Sequence, residues 1–177
     1  MDEVRDFAAG LASGEVAVLT SSVINTEVYN RYGLWWMAGV CAPIVEEISK
    51  TGFAEISKGN VLVSHVTFGS TEGFMYAEES QQIRKFDHRR PLLHAAFGTL
   101  YLMGRRLGGS AAAGLLTAML AHFIWNQIAL IRAAAQGVVF FDKEEEPDTG
   151  DFVLISYDEP PKVRKMTYEE IKKALLI

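Results

Sequence analysis

The sequence predicts an all-α, polytopic membrane protein: a core bundle of about four transmembrane helices, followed by a small cytoplasmic α+β tail. Three observations predict it. Residues 110–131, SAAAGLLTAMLAHFIWNQIALI, run 22 positions without a formal charge if His122 is neutral, about the 20 or so residues a helix needs to cross a hydrocarbon core. The same stretch lacks the polar outer stripe of a helix in a soluble bundle: opposite His122 and Asn126 stand Leu, Met, Ile and Ala. Finally, ionisable side chains recur inside otherwise apolar segments, where they are expensive and mark function by default.

Composition sets wide bounds. The 177 residues suffice for one domain and a tail. With 49% apolar and 22% charged residues the chain is near the globular average, so the distribution of charge decides the class. A single cysteine, Cys41, excludes an internal disulfide framework and Cys-rich zinc sites. A net charge of −5 leaves no footprint for nucleic acid. No cleavable signal peptide is expected, because the first basic residue stands among Asp2, Glu3 and Asp6 and the following apolar run is broken by Gly14 and Glu15.

Residues 1–33 hold only a short apolar run, VAVLTSSVI, read as an interfacial or packed helix rather than a span. Residues 34–134 form the predicted four-helix core, its segments lying at 34–57, 60–77, 91–104 and 110–131. The third is short, and is expected to tilt or to begin further back, near Arg84. If all four span, Arg5, Arg31, Arg84, Lys85, Arg89, Arg90 and Arg132 share one side, against Lys58, Arg105 and Arg106 on the other. The positive-inside rule then makes the protein a multi-pass cell-membrane protein with both termini cytoplasmic. Residues 138–177 read as strand VVFF, an acidic turn, strand FVLISY, a Pro160-Pro161 break and a helix from Thr167, where Thr167 and Glu170 have capping-box spacing. About forty residues bury little core alone, so the tail is expected to dock on the membrane domain or on a protein partner.

The stretch CAPIVEEISK, residues 41–50, places Glu46, Glu47 and Lys50 within five positions. At roughly +2.5 to +3.5 kcal/mol for each charge at a helix centre, the three cost about 8 to 10 kcal/mol, so other helices must shelter them. Lys50 forms a structural pair with Glu46, i and i+4 on one face, while Glu47 points about 100° around the helix. Pro43 has no N–H for the Gly39 carbonyl and is expected to kink the helix. Later segments repeat the device: Phe68 with Glu72 and His122 with Asn126, each at i and i+4, and His94 near the start of the third segment. Gly69, Gly73, Ala95, Gly98, Ala118 and Ala129 flank these faces and permit close helix approach. His65 falls on the face of Gly69 and Glu72 and reads as a hydrogen-bonded packing histidine.

In order along the chain, EEISK reads as EExxK, FGSTE as FxxxE, HAAFG as a lone-His motif and HFIWN as HxxxN. This set resembles the PrsW family of intramembrane proteases, relatives of the CAAX prenyl proteases and of the bacterial membrane proteins grouped as CPBP. The resemblance covers roughly residues 34–130. It implies an intramembrane endopeptidase whose substrate is a membrane-anchored protein and whose partner is the lipid bilayer. By that resemblance the catalytic residues are Glu46, Glu47, Glu72, His94, His122 and Asn126. Glu46 is the favoured base toward water, Glu72 or His94 orients that water or shares its proton, and His122 with Asn126 stabilises the oxyanion. Carboxylate, imidazole and amide supply the base, proton carrier and donors that peptide hydrolysis needs. Zinc is the one candidate cofactor, held if present by Glu46, His94 and His122 with a position left open. The chain departs from the family in having few spans and an unmatched acidic tail, so the second reading is an inactive membrane scaffold or accessory subunit.

Overall fold

The computed structural model describes residues 2–79, 87–135, 152–155 and 163–166, with 76–79 and the last two segments described by their backbone. Its elements are α1 (Asp2–Trp36), a π turn (Met37–Cys41), α2 (Ala42–Ser57), α3 (Val61–Glu79), α4 (Arg89–Gly108), α5 (Ala111–Ala135), β1 (Phe152–Ile155) and β2 (Val163–Met166). The chain divides into two units, Met1–Ile24 with Pro43–His122, and Asn25–Ala42 with Phe123–Ile177.

In the first unit the helix ends follow local chemistry. Lys58 adopts a left-handed φ of 56°, and the Gly59 N–H bonds the Ala54 carbonyl at 2.8 Å, closing α2 in a Schellman arrangement. Asn60 then caps α3, its side-chain oxygen accepting the Val63 N–H at 3.2 Å. Gly109, at φ 69°, ends α4. The Ser110 hydroxyl accepts the Ala113 N–H at 3.1 Å to start α5. The first half of α1 packs on α3 through small residues. A Cβ on Gly14 would lie 2.6 Å from the Ser64 carbonyl oxygen, and one on Gly10 2.7 Å from that of Asn60, so only glycine allows this approach. Ala17 and Val18 complete the contact with Phe68. Beyond Asp2–Ile24, α2, α3, α4 and the first half of α5 enclose a small core of Ala54, Val61, Tyr101 and Ala118.

In the second unit, Gly33 breaks α1 with φ 81°. The π turn follows, its widened register seen where the Ala42 N–H reaches the Met37 carbonyl. The Gly39 carbonyl, which Pro43 cannot serve, accepts the Gln127 amide at 2.7 Å. A π turn thus stands just upstream of Pro43, where a kink was expected. β1 and β2 pair antiparallel, Phe152 opposite Met166 and Ile155 opposite Val163.

Two expectations about fold class are corrected. Only two helical segments among the described residues are long and apolar enough to cross a membrane, Asp2–Ser57 and Ala111–Ala135, where four were expected. In α4 the apolar stretch between Arg90 and Arg105 is 14 residues, about 21 Å of helix against a hydrocarbon core of about 30 Å. The α3 helix interrupts its apolar run with Ser64, His65, Thr67, Ser70, Thr71 and Glu72. Conversely, the segment expected to lie at the interface opens the longest candidate span: FAAGLASGEVAVLTSSVI, residues 7–24, carries one formal charge. The α+β tail is also not shown, since the expected strand VVFF and the helix from Thr167 lie outside the described residues and only the β1–β2 pair remains.

Candidate functional site

The first unit gathers eight ionisable residues into one cluster. Glu46, Glu47 and Lys50 come from α2, His65 and Glu72 from α3, Arg90 and His94 from α4, and His122 from α5. All are buried except Glu72, which reaches the edge with 16% of its side chain exposed.

Lys50 sits at the centre, fully buried. Its ammonium lies 2.6 Å from Glu47 Oε1 and 3.7 Å from Glu46 Oε2. It also donates to His94 Nδ1 at 2.9 Å. Its Nζ stands 4.4 Å from the centroid of the Phe68 ring, a desolvated cation on a π face. The expected Glu46–Lys50 pair is therefore present, but the tighter contact is with Glu47. Because Lys50 donates to Nδ1, the proton of neutral His94 belongs on Nε2, which meets Glu72 Oε2 at 2.8 Å. Arg90 donates to the same Glu72 oxygen at 3.3 Å. The motif residues of α3 and α4 thus form one chain, from Lys50 through His94 to Glu72 and Arg90.

A second chain runs through Glu47. Its Oε1 accepts from His122 Nδ1 at 2.9 Å, a carboxylate–imidazole pair that leaves Nε2 as the working nitrogen. His122 Nε2 stands 4.0 Å from Glu46 Oε2, beyond direct hydrogen bonding but within reach through one shared water molecule. Phe97 stacks on the His122 ring, centroids 4.5 Å apart and planes 18° apart. Sequence reasoning missed this aromatic support, although Phe97 lies three residues after His94 and so on the same helical face. It also missed Arg90, which was read only as loop charge.

The expected site residues are therefore brought together with one exception. Asn126 belongs to the second unit, where its amide donates to the Ala38 carbonyl at 2.8 Å. One of its donors is thereby committed to the π turn.

The metal expectation shifts as well. The donor atoms that approach one another within 4.8 Å are those of Glu46, Glu72 and His94, in place of the expected set with His122. The Lys50 ammonium contacts two of these three residues and the Arg90 guanidinium the third. A divalent ion there would face two cations that already neutralise the carboxylates, so the donor set as arranged does not fit zinc. No protein-family model, curated protein or solved structure matches the chain.

Proposed function

We propose that this chain is a membrane-embedded endopeptidase of PrsW-like character, hydrolysing a peptide bond of a membrane-anchored protein with a water activated by Glu46. The observation that carries the proposal is the convergence of Glu46, Glu72, His94 and His122, separated by up to 76 residues in sequence, on one buried cluster.

Glu46 Oε2 lies within 4.0 Å of both Lys50 Nζ and His122 Nε2. A water in this region gives its proton to Glu46 as it attacks the carbonyl carbon. His122, oriented by Glu47 through Nδ1, then takes that proton from Glu46 on its unprotonated Nε2 and hands it to the leaving amine as the C–N bond breaks. Glu47 is fully buried and engaged by Lys50 and His122, which suits a positioning carboxylate, whereas Glu46 is the better-placed base. His94 has both nitrogens engaged and links Lys50 to Glu72.

The chain carries two helical segments suited to cross a bilayer, and membrane association follows from them. Multi-pass insertion with both termini in the cytoplasm is the finer proposal. Its charge argument counted four crossings. If only the two candidate segments cross, Arg84, Lys85, Arg89 and Arg90 fall between the crossings and pull that stretch inward instead. Labelling of introduced cysteines decides the matter.

The second reading, an inactive scaffold, is favoured by one specific observation: the polar network is largely satisfied internally, as a structural clamp would be. The two separate in proteoliposomes holding candidate membrane-anchored substrates. The enzyme reading expects a defined product mass from wild type and none from Glu46→Gln or His122→Ala. Equal cleavage by all three proteins removes the proposed site, and no cleavage by wild type of any substrate favours the scaffold.

A further inference from the structure

His65 lies outside every motif that defines the proposed site, yet it is fully buried against it. Its Nε2 is 3.4 Å from the Thr51 hydroxyl and its Nδ1 is 3.8 Å from Glu47 Oε2. Both Nδ1 and Oε2 are buried without a hydrogen-bond partner among the described residues. A packing histidine is normally satisfied, because an unpaired buried polar atom costs roughly 1–3 kcal/mol. Here two such atoms face each other across less than one ångström beyond hydrogen-bond range.

The ring is held in that position. A Cβ on Gly98 would come 3.0 Å from His65 Cγ, so the backbone of α4 presses on one side of it. The neighbouring Ser64 hydroxyl bonds the Lys50 carbonyl at 2.9 Å, fixing α3 to α2 at this level. The proton roles are mutually consistent. Glu47 Oε2 accepts, so the facing Nδ1 carries the hydrogen; Nε2 then accepts, and the Thr51 hydroxyl is able to donate.

We infer that His65 is a positioning residue of the proposed hydrolytic site: its Nδ1–H closes on Glu47 Oε2 and so fixes the carboxylate whose other oxygen orients His122. The inference rests on the proposed function for its catalytic meaning, but its structural content is read without any substrate. Glu47 becomes a hub with Lys50 and His122 on one oxygen and His65 on the other. Removing His65 frees the carboxylate to rotate, and His122 loses its alignment toward Glu46.

The test combines spectroscopy with kinetics. In full-length protein labelled with ¹⁵N-histidine and held in nanodiscs, His65 and His122 are both expected as the Nδ1–H form. His65→Leu is expected to move the His122 nitrogen signals, whereas His65→Asn, whose amide replaces Nδ1, leaves them near wild type. An Nε2–H form of His65 in the wild type, or His122 signals indifferent to His65→Leu, overturns the inference whatever the activity. With a cleavable substrate, His65→Leu lowers kcat by about 10- to 100-fold with KM little changed, and His65→Asn restores most of it. Equal losses in His65→Leu and His65→Asn also overturn it. A wild type without activity defeats the proposed function, while the nitrogen spectra still decide the positioning role.

Discussion

Lys50 balances the site, because one ammonium meets Glu47 at 2.6 Å and Glu46 at 3.7 Å and donates to His94. Replacing it with Met strands a buried carboxylate, for which about 3–5 kcal/mol of destabilisation is expected. Chemical unfolding in detergent measures that loss. The double variant Lys50→Met with Glu47→Gln is expected to regain part of it, since the orphaned charge is gone. The same ammonium, with Arg90 on Glu72, underlies a second expectation: purified protein carries no stoichiometric zinc, and a chelator leaves its activity unchanged. Stoichiometric metal on Glu46, Glu72 and His94 would contradict the charge argument. Much of this site was legible from residue identities, because the insertion cost of EEISK demanded partners and the polar faces of later segments offered them. The preference for Glu46 over Glu47 came from the family resemblance and was not legible in the residues themselves. Both lie within one turn of Lys50, and only the arrival of His122 on Glu47 Oε1 separates their roles.

At the level of elements, α1 was the least readable. Residues 1–33 show only the short apolar run VAVLTSSVI, which reads as an interfacial or packed helix and not as a span. Yet the spacing of Gly10, Gly14 and Ala17 is the small-residue pattern of a close helix contact, and Glu15 accepts from Thr71 on the facing α3 at 2.8 Å. A paired prediction tests this contact. Gly14→Ala puts a methyl 2.6 Å from the Ser64 carbonyl oxygen and Thr67 Cβ, and is expected to cost about 1–3 kcal/mol. Gly52→Ala, in α2 with nothing within 4 Å of the added carbon, is expected to stabilise by about 1 kcal/mol through helix propensity alone. Thermal unfolding of the two variants beside wild type reads both signs. Helix ends were more legible where Asn60, Ser110 and Gly109 act locally. The length of α4 was not, because its final turn runs past the apolar stretch through Arg105, which pairs with Glu55.

For the whole molecule, the sequence announced membrane association but overcounted crossings. It read polar, site-bearing α3 and short α4 as spans by analogy with α5, although helices that shelter a buried polar cluster need not themselves meet hydrocarbon lengthwise. Topology is open to direct measurement in a Cys41→Ser background, with single cysteines introduced at positions 88 and 177 of protein in sealed inverted vesicles. The finer proposal expects Ile177→Cys to be labelled from the cytoplasmic face. If only the two candidate segments cross, His88→Cys is labelled from the face opposite Ile177→Cys. The central claim, that Glu46 activates water for peptide hydrolysis, is tested most directly by the initial rate of cleavage of a membrane-anchored substrate in proteoliposomes by wild type and by folded Glu46→Gln. The account predicts cleavage by wild type and a fall of about 10²- to 10⁴-fold in the variant, with its helical content and unfolding midpoint retained. A Glu46→Gln protein that cleaves at the wild-type rate would contradict it.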